Sequence, residues 1–379
     1  VPKKPASGGN LRETSADPHP EGVQRATWLL ALGLVSCDRA PEAETPRAPE
    51  SEAPEAPQEA PMDPEPEPAP RPEPEGVPGG GPDPRALDAS ASTSVGSPTE
   101  GHLTSSVPLP LHGPGYVFSP RKDPTRRYGT WEMVRALMDA AASVHETRPG
   151  NTLVVGDLSL AQGGDIGGHA SHRSGRDVDV MFYLLSPKGE PFEAKAIPIE
   201  PDGTGVDYQD LTTADDDVPV RIDVPRTWAF VAALVADEAN HIGRIFVVEH
   251  VRTMLLEEGE RVGASEDVLE LAGHLMCQPG FPHDDHMHIR FFCSPDDIEA
   301  GCLDTAPIFP WQKKYLKSAG VSAKLAGART TPRPKLTSTK DAATKKRDEV
   351  GAFDPEVDAF LERRKAWAKK PKTGREYCR

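Results

Sequence analysis

Two short stretches concentrate the residue types that bind metals and move protons. HASHRSGRDVDV (residues 169–180) carries His169, His172, Asp177 and Asp179, and HDDHMHIR (283–290) carries His283, His286 and His288 beside Asp284 and Asp285. Six of the chain's 12 histidines stand at 169, 172, 274, 283, 286 and 288. A catalytic zinc site takes three protein ligands, drawn from imidazole and carboxylate, and keeps a position for water. His172 and Asp179 supply two such ligands, and Gly175 between them permits a tight turn. The third must come from the second stretch. In a strand His286 and His288 share a face, so one can bind metal while the other faces substrate.

These pairs need a sheet to hold them. NTLVVGDLSL (151–160), DVDVMFYLL (177–185), RIFVVEH (244–250) and HMHIRFFC (286–293) read as four strands. TWEMVRALMDAAASVHETRPG reads as a helix capped by Thr130, with Val134, Leu137, Met138 and Ala141 on one face and Pro149-Gly150 ending it. TWAFVAALVADEA and EDVLELAGHL, the latter capped by Ser265, read as two more. FDPEVDAFLERRKAWAKK reads as a last helix, with Asp354 as cap, Pro355 at its first position, acids early and bases late. The strands do not alternate with crossover helices of equal size. The expected fold is therefore α+β: a central antiparallel sheet of about four strands, flanking helices, and the metal site on the sheet.

Composition divides the 379 residues further. Arg25 precedes a short apolar run from Trp28 to Val35, and Leu34-Val35-Ser36-Cys37 resembles a bacterial lipoprotein processing box. On this reading residues 1–37 are an upstream extension and signal peptide, Val23 is a GTG start, and Cys37 receives lipid. Residues 38–108 are dense in proline and hold many glutamates, the composition of a disordered tether. As polyproline II, some seventy residues at ~3.1 Å each would reach roughly 200 Å. The catalytic domain is expected over 109–325, a flexible basic linker over 326–350 and the C-terminal helix over 351–379. No internal repeat is visible. The net charge of −16 argues against a general nucleic-acid binder. With Cys37 acylated, Cys277, Cys293, Cys302 and Cys378 remain, an even number suited to two disulfides in an exported chain.

The H-x-x-G-x-x-x-D … H-x-H pattern, with RRYGTWEMV, LVVGDLSLAQGGDIGGHASHRSGRDVDV and HDDHMHIRFFC, resembles the zinc peptidases that include lysostaphin-type enzymes, D-alanyl-D-alanine carboxypeptidases and the hedgehog signalling domain. It is most similar to the penicillin-insensitive murein endopeptidases, over roughly residues 113–302. The resemblance implies one Zn²⁺ per chain on His172, Asp179 and His288. It implies that His286 assists the transition state and that His283 and His169 line the site. It implies a Cys293–Cys302 loop, which leaves Cys277 with Cys378. The implied reaction is hydrolysis of D-alanyl–diaminopimelyl cross-links between peptidoglycan stem peptides, in a periplasmic, membrane-anchored lipoprotein.

Some relatives use a glutamate as general base; near this H-x-H only Asp284 and Asp285 are available. A ligand set of two imidazoles and one carboxylate leaves zinc net positive and able to acidify a bound water. Two alternatives remain. A D-alanyl carboxypeptidase would need a cation for the free carboxylate, with Arg127, Arg173 and Arg176 as candidates. A non-catalytic zinc-containing wall-binding lipoprotein would not need His286, His169 or His283. The S-x-x-K at Ser119–Lys122 and the K-T-G at 372–374 do not form a serine-enzyme set, because Pro124 breaks the helix that S-x-x-K requires. Mass spectrometry of the mature N-terminus should find lipid on Cys37; any other first residue contradicts the processing-box reading.

Overall fold

The computed structural model describes residues 83–280, 283–328, 339–369 and 378. Cys37, the processing box and the Pro/Glu-rich stretch up to residue 82 lie outside the described residues, as does 329–338 of the expected linker.

Folding begins earlier than expected. β1 (Thr93–Ser97) and β2 (Glu100–Ser105) form an antiparallel hairpin inside the stretch assigned to the tether. Ser94 and Leu103 are buried, so this hairpin is part of the domain. β3 (Val107–Pro108) then pairs with β6 (Tyr128–Gly129).

The central sheet has seven strands. They are β4 (His112–Gly113), β5 (Tyr116–Phe118), β7 (Leu153–Val155), β8 (Asp177–Met181), β13 (Ile242–Phe246), β14 (Met276–Cys277) and β15 (His286–Phe291), in the order β14-β13-β15-β8-β7-β5-β4. The sheet is mixed, with β13–β14 and β5–β7 parallel, which corrects the expectation of four antiparallel strands. The antiparallel pairings β13–β15–β8–β7 occupy its middle. The added strands are two or three residues long, too short to leave a periodic signal. A second, four-stranded sheet joins β10 (Pro191–Phe192), β9 (Leu184–Leu185), β12 (Val218–Ile222) and β11 (Thr204–Asp207).

The helices are α1 (Trp131–Thr147), α2 (Val224–Ala236), α3 (Glu249–Arg261), α4 (Glu266–Leu275), α5 (Pro295–Ala300), α6 (Pro310–Ser318), α7 (Thr339–Val350) and α8 (Pro355–Lys369). α1 buries the face read from its sequence, and Ser265 caps α4 through its hydroxyl. Asp354 accepts from Glu356 N at the start of α8. α3 was hidden because Val247 and Val248 continue the apolar run of β13 although the chain has already turned. α7 lies within the stretch expected as linker. Among the described residues no helix is long and apolar enough to cross a membrane.

Alternation fixes what β8 and β15 present to each side. Val178, Val180, Met287 and Ile289 are fully buried in the same apolar core as Leu137 of α1 and Phe230 of α2. Asp177 and Asp179, with His286, His288 and Arg290, therefore share the opposite face. Disulfides join Cys293 to Cys302 and Cys277 to Cys378, the two pairs named above.

His241 packs against Phe292 and against Tyr315 of α6, with ring centroids 4.9 and 4.6 Å away. Burial, aided by Arg135, pushes its pKa down from 6.5 to about 4. Below 6.5 the unfolded chain gains a proton that the folded chain refuses until about 4, so stability should fall as pH drops through that window. The loss should reach roughly 3 kcal/mol. His241→Asn, which tolerates the positive φ of 56° at this position, should flatten the difference between denaturant midpoints at about pH 7 and about pH 4.5. An unchanged pH slope would show that other groups carry it.

Candidate metal centre and active site

Asp179 is the hub of the site. In the β8–β15 register it stands opposite His288, while Met181 stands opposite His286 and Asp177 opposite Arg290. His288 Nδ1 lies 3.2 Å from Asp179 Oδ1, His172 Nε2 3.3 Å and His286 Nε2 3.5 Å, and His169 Nδ1 lies 3.7 Å from Oδ2. Four imidazoles thus turn one nitrogen toward one carboxylate.

The other nitrogen of each ring is held. His172 Nδ1 donates to Leu158 O at 2.7 Å, which leaves Nε2 as the lone-pair nitrogen. His169 Nε2 bonds Asp157 Oδ2 at 2.9 Å, His288 Nε2 bonds Asp177 Oδ1 at 3.1 Å, and His286 Nδ1 bonds Asp285 Oδ1 at 2.7 Å. Such acceptors fix the tautomer and orientation of metal-binding histidines. The backbone cooperates. His172 adopts φ 67° and His283 φ 53°, left-handed values that cost a non-glycine residue about 1–3 kcal/mol and cluster where function requires them. At Gly156 an added Cβ would meet Asp179 Cβ at 3.3 Å and Met181 Cε at 3.0 Å, so glycine lets the chain run close beside Asp179 just before Asp157.

The charges reinforce this arrangement. Burial would raise Asp179, but His172 and His286 hold it well below the usual carboxylate range. Burial would likewise raise Asp177, but Arg290 and His288 hold it low. Asp157 is held at about 2 against burial by hydrogen bonds from His169 and Lys122. His286 is lowered by burial, yet Asp179 and Asp285 outweigh it and lift the imidazole to about 10. A cation on Asp179 would withdraw part of that support.

These donors fit a metal ion. His172 Nε2 and Asp179 Oδ1 are buried, face each other and have no hydrogen-bond partner. A buried polar atom left so costs about 1–3 kcal/mol, and a cation would satisfy both lone pairs. His169, His172 and Asp179 offer ligand atoms all within 4.8 Å of one another. His169, expected only to line the site, therefore stands among the possible ligands, with His288 at the same carboxylate. The donors open into a cavity of about 440 Å³ lined also by Thr99, Phe246, Pro279, His283 and Arg290.

The sequence of the folded part decides the family. The profile of the penicillin-insensitive murein endopeptidases matches residues 94–337. The chain belongs to this family. It is 30% identical over 213 residues to the penicillin-insensitive murein endopeptidase of Salmonella arizonae, covering 55% of this chain and 69% of that one. It is 28% identical over 221 residues to that of Klebsiella pneumoniae subsp. pneumoniae (57% and 72% covered) and 29% over 223 residues to that of Yersinia pestis (58% and 73%). The matched region begins with the β1–β2 hairpin and takes in every residue of the cluster around Asp179.

Several participants in this peptidase were not singled out from sequence. Asp157 and Phe246 carry no motif of their own, and Asp177, noted in the DVDV run, was given no role there. Lys122, set aside with the S-x-x-K, supports the site by bonding Asp157 at 2.8 Å. Two questions the sequence left open have structural answers. Of the two aspartates near the H-x-H, Asp284 is held by Arg364 and Asp285 by His286. The proposed carboxylate-binding arginines are engaged elsewhere: Arg176 is buried on Asp304, Arg173 pairs with Asp165, and Arg127 donates to Leu109 O.

The Asp157–His169 bond yields a direct test. Asp157→Asn should weaken divalent-metal binding about 10–100-fold in chelator competition. Lys122→Met, one step further out, should weaken it less. Unchanged affinity in Asp157→Asn would remove His169 from the metal centre.

Proposed function

We propose that this peptidase is a zinc-dependent peptidoglycan endopeptidase that hydrolyses D-alanyl–diaminopimelyl cross-links. The observation that carries the proposal is the convergence of four oriented imidazoles on the buried Asp179 at the floor of an open cavity. Three neutral-nitrogen donors and a carboxylate suit zinc, with His172, Asp179 and His288 as the proposed ligands and His169 beside them. When bound, zinc supplies Lewis-acid polarisation and an acidified water.

The chain's own residues supply the rest. Asp285 holds His286 at Nδ1 and aims Nε2 at the reacting groups. Protonated, Nε2 donates to the oxyanion that develops on the scissile carbonyl; deprotonated, it accepts a proton there. His283 packs 5.1 Å from His286 and 5.6 Å from His288, centroid to centroid, and closes the cavity wall. Phe246 lies edge-on to His288 at 5.2 Å and under Arg290, which limits water around the ligand.

Endopeptidase action is favoured over carboxypeptidase action because each arginine suggested for a terminal carboxylate has another partner. The relatives are named for the same substrate class. Acylation of Cys37 would place the enzyme at a membrane facing the wall, in the periplasm, with the Pro/Glu-rich stretch as its reach. No serine takes part, which accounts for insensitivity to β-lactams.

His286→Ala should retain bound zinc and the fold yet lose about 10²–10⁴-fold in conversion of dimeric muropeptides to monomers. His283→Ala should lose less. Full activity in His286→Ala would show that the proton and charge chemistry lies elsewhere.

A further inference from the structure

α8 lies beyond the stretch that matches the family, which ends at 337, and yet it contacts the segment that carries His283 and His286. Arg364, three turns into α8, makes two bonds to Asp284: Nε to Oδ2 at 2.6 Å and NH2 to Oδ1 at 2.5 Å. Asp284 is 3% exposed. It stands between His283 and Asp285, whose side chains line the cavity and hold His286 respectively. The backbone here is fixed by two bonds, Val248 N to His283 O at 3.0 Å and Ile199 N to Asp284 O at 2.7 Å. The Asp284 carboxylate depends on Arg364.

We infer that α8 is a positioning element for the catalytic segment 283–286, and that Arg364 is its positioning residue. The physical reason is the cost of a buried charge. Without the guanidinium, the buried Asp284 carboxylate loses its counter-charge beside the cavity that Arg364 also lines, and it must take up a proton or turn toward water. Either response moves its neighbours in sequence. His283 is the more sensitive because it already holds a left-handed backbone conformation that its surroundings must enforce. A second tie acts at the other end of the same loop. Cys378 is bonded to Cys277, and its N–H donates to Gln278 O, next to Pro279 of the cavity wall. Arg364 and Cys378 thus hold Asp284 and Cys277 respectively. The bidentate geometry fits arginine, whose planar fork matches a carboxylate, better than lysine.

The inference rests on the peptidase reading for its activity arm only, so the test has two readouts on the full-length, zinc-loaded chain. The first is kcat and KM on a dimeric muropeptide, per folded molecule. The second is the ring ¹⁵N signals of His283 and His286. Arg364→Ala should lower kcat about 10–100-fold with little change in KM, and should displace both ring signals. Asp284→Asn with Arg364→Leu removes both charges together, and should recover most of kcat and return the ring signals toward wild type. If Arg364→Ala lowers only the melting temperature, with kcat and ring signals at wild-type values, α8 is a stabilising appendage and the inference is overturned. It is equally overturned if the paired substitution recovers nothing. If the wild type cleaves no muropeptide, the peptidase reading fails and the ring signals alone decide the role of Arg364.

Discussion

The register between β8 and β15 governs the site. Side chains alternate across a strand, so a slip of one residue would carry Asp179, His286 and His288 from the cavity into the core and bring Val180 and Met287 out. The apolar face prevents this. Val178, Val180, Met287 and Ile289 are fully buried, and exposing even one would cost about 1.5–3 kcal/mol. The core therefore sets the geometry of the chemistry, and His288 meets Asp179 because Ile289 and Val178 must face the helices.

Around that register the protein places charges it would otherwise avoid. Asp157, Asp177 and Asp179 are each less than 5% exposed. Each is tolerated because cations and N–H groups surround it: Lys122 and His169 for Asp157, Arg290 and the His172 N–H for Asp177, and His172 and His286 for Asp179. Asp157 and Asp177 are satisfied within the protein on the oxygens that face histidines, and they orient those rings. Asp179 keeps Oδ1 without a hydrogen bond, next to His172 Nε2. What marks Asp179 as a ligand is that its unpartnered oxygen faces the unpartnered nitrogen of His172.

Much of this was legible in the sequence, and the limits were physical. The H-x-x-G-x-x-x-D spacing and the H-x-H located the cluster because a turn followed by a strand leaves a local pattern. The strands of the sheet's centre were visible because they alternate or run apolar for several residues. Edge strands such as β4 and β14, two residues each, leave no such trace. The role of Asp157 depends on a partner 12 residues away, and that of Arg364 on one 80 residues away; neither distance has a local signature. The β1–β2 hairpin was masked by its neighbourhood, since the proline-rich composition before it obscured a short amphipathic pair. His169 was seen as lining the site, and its distance to His172 and Asp179 also makes it a possible ligand, a distinction that spacing alone cannot draw.

The most direct test of the account is the position of the metal itself. Zinc-edge anomalous diffraction from crystals of the loaded protein should place one ion bonded to Asp179, His172 Nε2 and His288 Nδ1, with the cavity beyond it. An ion bound elsewhere, or one whose coordination omits Asp179, would contradict it.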